Sequence, residues 1–197
     1  MRNSLFLALT IILTAPALAD AAPVISVGFS PSENQSALLV VLSAINGAKR
    51  SVDVAAYSFT SKPVAAALIA AQNRGVSVRV VADEKANSSS YTAVTFLANQ
   101  HVPVRFDARY AIMHNKFMVI DGDTVQTGSF NYTASAANGR NAENVLLVKN
   151  APTLAATYQT EFNRLWNESG QQTSRYSEKH KGSGWPVIDL PYLKLLQ

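Results

Sequence analysis

The stretch SVDVAAY at residues 51–57, followed by SKPVAAALIAAQNRG at 61–75 and VSVRVV at 76–81, decides the fold of this chain. The first segment is apolar enough for a buried strand, and the last alternates apolar and polar residues as a strand does. Between them, Ser61 and Pro63 are typical of a helix start, and the segment ends in glycine. This succession of strand, helix and strand predicts an α/β domain.

The same alternation continues before this unit and directly after it. A strand is predicted at 24–29, and a Ser32-x-x-Gln35 capping box then opens a helix that ends near Gly47. After the unit, a helix is predicted at 88–100 and a short strand at 102–106. Pro103 lacks the N–H that a central strand would donate, so we expect that strand at a sheet edge.

From Ile112 onward the strands follow one another closely. They are predicted at 113–120, 124–127 and 144–149, with a turn at Gly122-Asp123, and a last helix begins at Pro152. Closely spaced strands after strand–helix units imply a mixed β-sheet flanked by helices. The fold class is therefore α/β, in one domain.

The first twenty residues have the pattern of an export signal. Arg2 precedes an apolar run at 5–13, and Ala17-Leu18-Ala19 precedes Asp20 as at a signal-peptide cleavage site. The run is shorter than the roughly 20 residues that span a bilayer, although an uncleaved anchor is the alternative. We expect a signal peptide at 1–19, a folded domain at 20–175 and a C-terminal tail at 176–197. The mature protein is then periplasmic or secreted, in a bacterium.

The amino-acid composition limits the kinds of catalytic and binding site that the chain can form. The chain has 17 Lys and Arg against 13 Asp and Glu, a formal net charge of +4, and no cysteine. The missing cysteines exclude thiolate metal sites and cysteine nucleophiles. The basic balance suits an anionic partner, or it only aids solubility.

One segment carries a concentration of polar residues within strand-like sequence. It reads His114-Asn-Lys116-Phe-Met-Val-Ile-Asp121, and Gly128-Ser129-Phe-Asn131 follows it. Residues two apart share one face of a strand, so His114 and Lys116 are expected to point the same way, as are Ser129 and Asn131. A buried strand does not carry a cation without a partner, which indicates a binding site for an anion.

This pattern resembles the signature of the phospholipase D superfamily, His-x-Lys-x-x-x-x-Asp followed by Gly-Ser-x-Asn, and it is similar to the superfamily's small bacterial endonucleases with one motif copy behind a signal peptide. The resemblance covers most of the mature chain and implies a phospholipase D-like nuclease domain at 20–175. It implies that His114 is the nucleophile and that Lys116, Ser129 and Asn131 bind the substrate phosphate. Asp121 resembles the family's structural aspartate and is grouped with His114 and Lys116 in the catalytic motif. Glu143 would orient His114 through its other ring nitrogen.

Cleavage of a phosphodiester needs a nucleophile and an acid, which calls for two imidazoles. His101 and His180 begin no second motif, so the second imidazole is expected from His114 of another subunit in a two-fold homodimer. Asp53, Asp83 and Glu84 lack metal-ligand spacing. We expect no metal and no cofactor.

The leading hypothesis is a metal-independent endonuclease that cleaves DNA, with RNA as a further substrate, through a phosphohistidine intermediate. One alternative is a phospholipase D that hydrolyses phospholipid head groups, because both substrates are phosphodiesters. A second is a binding module for nucleic acid or lipid that has lost turnover. The short chain and the single motif copy favour the nuclease.

Overall fold

The computed structural model describes residues 21–89 and 92–171. The predicted signal peptide at 1–19 and the predicted tail at 176–197 lie outside the described residues. The strands are β1 (Val24–Ser30), β2 (Ser51–Ala56), β3 (Ser77–Asp83), β4 (Val104–Asp107), β5 (Lys116–Ile120), β6 (Thr124–Gly128), β7 (Glu143–Lys149) and β8 (Gly170–Gln171). The helices are α1 (Ser36–Gly47), α2 (Lys62–Asn73), α3 (Ala93–Asn99), α4 (Ala134–Ala137) and α5 (Pro152–Glu168), and a 3-10 turn spans Lys85–Asn87.

The predicted mixed sheet is confirmed. Its eight strands among the described residues have the order β1-β7-β6-β5-β2-β3-β4-β8. The strands β2, β3 and β4 run parallel, as strand–helix–strand units require, and the remaining neighbours are antiparallel. The antiparallel β5–β6 hairpin turns through two successive residues with positive φ, Asp121 and Gly122.

Helices cover both faces of the sheet. The helices α1, α2 and α3 lie on one face, and α5 crosses the strands from β6 to β4 on the other. Side chains on β2 alternate between the two cores: Val54 packs beneath α1 and α2, whereas its neighbour Ala55 packs beneath α5. Burial on both faces explains why this strand is apolar along nearly its whole length.

Three local expectations are corrected. The capping box is wrong, because α1 begins at Ser36 and Gln35 before it has a left-handed backbone with φ 49°. The helix predicted from residue 88 begins at Ala93. The strand at Pro103 is not the sheet edge, since the two-residue β8 pairs with β4 on its outer side. Pro103 itself precedes β4, where a missing N–H costs nothing in the ladder.

Within the described ranges, no helix is both long enough and apolar enough to cross a bilayer.

Candidate active site

A polar pocket of about 510 Å³ lies at the sheet edge where β5 begins, β6 ends and β7 begins. These three strands are neighbours in the sheet, so residues far apart in sequence meet at their ends. The lining includes five of the residues that the sequence predicted for the site, together with the ring of Tyr158 from α5. The five are His114, Lys116, Ser129, Asn131 and Glu143.

His114 lies just before β5 rather than on it, which corrects the expectation of a strand reaching back to residue 113. Its side chain is exposed, and its ring meets the edge of the Tyr57 ring at a centroid distance of 4.7 Å. No side-chain hydrogen bond to His114 is formed by the residues that the structure describes. The imidazole is therefore accessible to a substrate and is placed by its backbone and by Tyr57.

Lys116 is the first residue of β5 and is only 8% exposed. Its ammonium donates to the backbone oxygen of His114 at 2.6 Å and lies 5.2 Å from the centre of the Tyr57 ring. Burial lowers the pKa of Lys116, and the nearby Glu143 carboxylate raises it in part. A buried cation at a pocket wall is suited to an anionic group, whose charge would compensate for the lost hydration.

Gly128 explains how β6 and β7 come close enough to build the other wall. Its φ is +147°, and a Cβ at this position would lie 2.3 Å from the backbone oxygen of Asn144. Only glycine fits. The next residue, Ser129, then accepts from the Asn144 N–H at 3.0 Å and donates to Glu143 at 2.7 Å.

Asn131 completes this wall with a side chain that is not fully used within the protein. Its Oδ1 is buried and has no hydrogen-bond partner among the described residues. Buried amide groups are usually paired, and Asn131 belongs to the pocket lining, so unused acceptor capacity lies beside the site.

Glu143 lines the pocket, as expected, but its carboxylate bonds residues other than His114. Its carboxylate accepts from Ser129 at 2.7 Å and from Asn141 at 3.3 Å, and it forms no hydrogen bond with His114 in the described structure. It lies at the start of β7 and lines the same pocket as His114. Glu143 instead fixes the Ser129 hydroxyl and adds negative charge near Lys116.

Asp121 lies outside the pocket, at the opposite end of β5 from Lys116, and so apart from the two motif residues with which it was grouped. Its carboxylate accepts the backbone N–H groups of Lys49, Arg50 and Ser51 at 2.8, 2.6 and 2.9 Å. Burial acts to raise the pKa of Asp121, but these three bonds outweigh it and hold the pKa below its ordinary value. The residue joins the β5–β6 turn to the start of β2.

Sequence reasoning missed Tyr57, which touches both His114 and Lys116. Tyr57 ends the strand predicted at 51–57, but no strand pairing was predicted, and only the observed pairing of Ala56 with Lys116 makes Tyr57 a neighbour of the motif. His101 lies in the turn after α3 and does not line the pocket. Among the described residues no group of three or more metal-binding side chains occurs.

Comparison with known proteins gives the family. The sequence profile described as "Cardiolipin synthase, PLD-like domain" matches residues 41–166, well over half of the chain. The mitochondrial cardiolipin hydrolase of Xenopus laevis is 36% identical over 141 residues, which cover 72% of this chain and 66% of that protein. The phospholipase D of Rickettsia bellii is 40% identical over 58% of this chain and 56% of its own length. This chain thus spans two thirds or less of these curated relatives.

Among solved structures, the phospholipase D family member Nuc from Salmonella typhimurium matches with a TM-score of 0.73 and 39% identity, over 77% of this chain and 99% of that one. NucT from Helicobacter pylori matches with a TM-score of 0.69 over 77% of this chain and all of that one, and at 24% identity it shows the fold alone. The profile match includes the three strands that form the pocket. The chain belongs to the phospholipase D superfamily.

Proposed function

We propose that the protein is a metal-independent phosphodiesterase, an endonuclease that hydrolyses DNA, with RNA as a further substrate, through a phosphohistidine at His114. The observation that carries this proposal is the pocket itself. It combines an exposed imidazole, a buried ammonium and polar side chains with unused hydrogen-bonding capacity. Those are the groups that transfer of a phosphoryl group requires when no metal supplies positive charge.

The reaction proceeds in two displacements. An imidazole nitrogen of His114 attacks phosphorus and forms a P–N bond, while the P–O bond to the leaving nucleoside breaks and an acid protonates that oxygen. A water molecule, which gives its proton to the acid's conjugate base, then attacks phosphorus and releases His114. The Lys116 ammonium and the side chains of Ser129 and Asn131 stabilise the non-bridging oxygens in both steps.

The acid is the second imidazole, contributed by a partner subunit. His114 is the single histidine that lines the pocket in the described structure, so one subunit supplies one imidazole. Support for a dimer comes from β1, an edge strand on which Ile25, Val27 and Phe29 are 63%, 51% and 57% exposed. These three side chains alternate onto one face, beyond the reach of α5, and an apolar patch of this kind marks an interaction surface.

The patch also adjoins the pocket. Ser30, which follows Phe29 in β1, pairs in register with Glu143 of the pocket lining. A two-fold axis near this end of β1 would bring two pockets together, since an isologous interface repeats the same patch on both subunits.

Two lines of comparison bear on the substrate. Nuc, which this chain covers almost completely, supports the nuclease, and a small domain with one motif copy fits the same class. The curated relatives are named cardiolipin hydrolase and phospholipase D, which favours a lipid phosphodiester as the second candidate. We also propose export to the periplasm or medium on the strength of the N-terminal pattern at 1–19.

The test is to incubate the protein lacking residues 1–19 with plasmid DNA, RNA, and vesicles of phosphatidylcholine or cardiolipin, each with excess EDTA. Cut nucleic acid and untouched lipid support the nuclease, whereas lipid hydrolysis alone supports the second candidate. His114→Ala is the control in every arm and is expected to abolish cleavage without unfolding the protein, because the side chain is exposed. Activity that EDTA removes would contradict the metal-independent mechanism.

A further inference from the structure

A buried carboxylate that the proposed mechanism does not use lies behind the His114 loop. Asp83 ends β3 and is 1% exposed, and no described cation forms an ion pair with it. Its two oxygens accept backbone N–H groups instead, one from Ala86 and one from Met113, each at 2.7 Å. Met113 immediately precedes His114, so this bond holds the backbone at the start of the catalytic motif.

Asn87, in the 3-10 turn after β3, is 2% exposed and extends this contact to the neighbouring strand. Its amide nitrogen donates to the backbone oxygens of Tyr57 at 2.6 Å and Asp83 at 2.8 Å. Its Oδ1 accepts the N–H of Phe59 at 3.0 Å. The amide therefore fixes the backbone on both sides of Ser58, directly after β2.

Together, Asp83 and Asn87 bond the two backbone segments on which the position of the His114 imidazole depends. One is the backbone of the His114 loop, through Met113. The other is the backbone that carries Tyr57, whose ring has an edge contact with His114 at 4.7 Å between centroids. Because the imidazole is exposed and has no side-chain hydrogen bond in the described structure, its position depends on these indirect supports.

We propose that Asp83 and Asn87, the Asp83–Asn87 pair, are positioning residues that aim His114 at the substrate phosphorus. This inference rests on the proposed nucleophilic role of His114. A nucleophile must lie within a near-attack geometry, and a displacement of about 1 Å is enough to lower a rate by about 100-fold. Neither residue touches the pocket, so substrate binding is left to Lys116 and its neighbours.

A matched control separates positioning from general stability. Asp53 is another buried carboxylate, 3% exposed, on the adjacent strand β2. It binds Arg79 through two hydrogen bonds and Gln159 through a third, and it contacts neither Tyr57 nor Met113. Asp53→Asn is thus expected to lower stability without moving His114.

The experiment compares Asp83→Asn, Asn87→Asp and Asp53→Asn with the wild type, using bis(p-nitrophenyl) phosphate as a small phosphodiester probe. Asp83→Asn keeps one acceptor and presents an amide group to the other N–H, and Asn87→Asp turns an oxygen toward two carbonyls. We expect kcat to fall by about 10- to 100-fold in both variants, with KM changed by less than about threefold. Asp53→Asn should keep kcat within about threefold of the wild type.

A spectroscopic readout tests the position of the ring itself. At 4.7 Å between centroids, the Tyr57 ring is expected to shift the His114 Hε1 proton resonance. Both pair variants should move that resonance toward the position it has in Tyr57→Leu. Asp53→Asn should leave it unchanged. A further measurement needs no variant: in the wild type, the Met113 amide should exchange with solvent far more slowly than the other amides of its exposed loop.

These experiments distinguish failure of the positioning role from failure of the proposed phosphodiesterase function. An active wild type with an unshifted kcat in either pair variant would overturn the positioning role alone, and so would a freely exchanging Met113 amide. If both variants fail to fold, the exchange measurement decides. A wild type that hydrolyses no phosphodiester would overturn the proposed function, and with it the catalytic meaning of the pair.

Discussion

Replacing Asp121 by asparagine tests whether this motif residue is structural. The side chain joins the β5–β6 turn to the start of β2 through the N–H groups of Lys49, Arg50 and Ser51. Asparagine tolerates the left-handed backbone at this position, where φ is 54°, so the change acts on the side-chain bonds. We expect Asp121→Asn to lower the free energy of unfolding and to leave kcat unchanged in the folded enzyme.

The expected loss of unfolding free energy follows from the three hydrogen bonds that the Asp121 carboxylate accepts. The asparagine oxygen can keep the Arg50 and Ser51 donors, but its amide group faces the Lys49 N–H, so one bond to a charged acceptor is lost and two lose their charge assistance. Such bonds contribute about 1.5–3 kcal/mol when charged and about 1 kcal/mol when neutral. Because Lys49 and Arg50 are exposed and water can replace part of the loss, we expect about 2 kcal/mol. The melting temperature should fall by about 4–8 °C.

The stability lost in Asp121→Asn should become smaller as the pH falls. The pKa of Asp121 is lowered in the folded protein. A lowered pKa contributes stability that is present above the unfolded value, about 3.9, and is lost as the pH falls through the folded value. The difference in stability between the wild type and Asp121→Asn should therefore be largest near pH 7 and smaller at pH 3.

Urea unfolding followed by circular dichroism measures the first quantity, and hydrolysis of bis(p-nitrophenyl) phosphate at 25 °C measures the second. Asp123→Asn is the control, because Asp123 lies in the same turn and its side chain, among the described residues, bonds only the Thr124 hydroxyl. A large fall in kcat for folded Asp121→Asn, or a stability equal to that of the control, would refute the structural role.

Three other predictions concern the pocket. Lys116→Ala should lose about 3 kcal/mol of transition-state stabilisation, about 100-fold in kcat/KM, whereas exposed Lys149→Ala should not; a change in KM alone would show that Lys116 only binds substrate. Gly128→Ala should separate β6 from β7 and cost more than about 2 kcal/mol in unfolding, because the added Cβ meets a backbone oxygen at 2.3 Å, whereas Gly47→Ala, with no atom within 4 Å, should be nearly neutral. An isolated heterodimer of wild-type and His114→Ala chains should be nearly inactive, since it lacks either nucleophile or acid; half of the wild-type activity would show one complete site in each subunit.

The sequence alone was enough to predict most of the strands, the helices that connect them, and five of the residues that line the pocket. Such features are encoded locally: the apolar alternation of residues 51–81 sets the strand and helix periods. The two-residue spacing of His114 and Lys116 likewise keeps them adjacent, even though only Lys116 belongs to β5.

What only the tertiary structure decided is which distant groups meet. Asp121 binds Lys49 across 72 positions, Asp83 binds Met113 across 30, and Glu143 binds Ser129 rather than the imidazole. These contacts depend on the order and register of the strands, which long-range packing determines and no local pattern contains. The chemistry of the pocket was therefore visible in the sequence, whereas the supports that place His114 appear only when β2, β3 and β5 lie side by side.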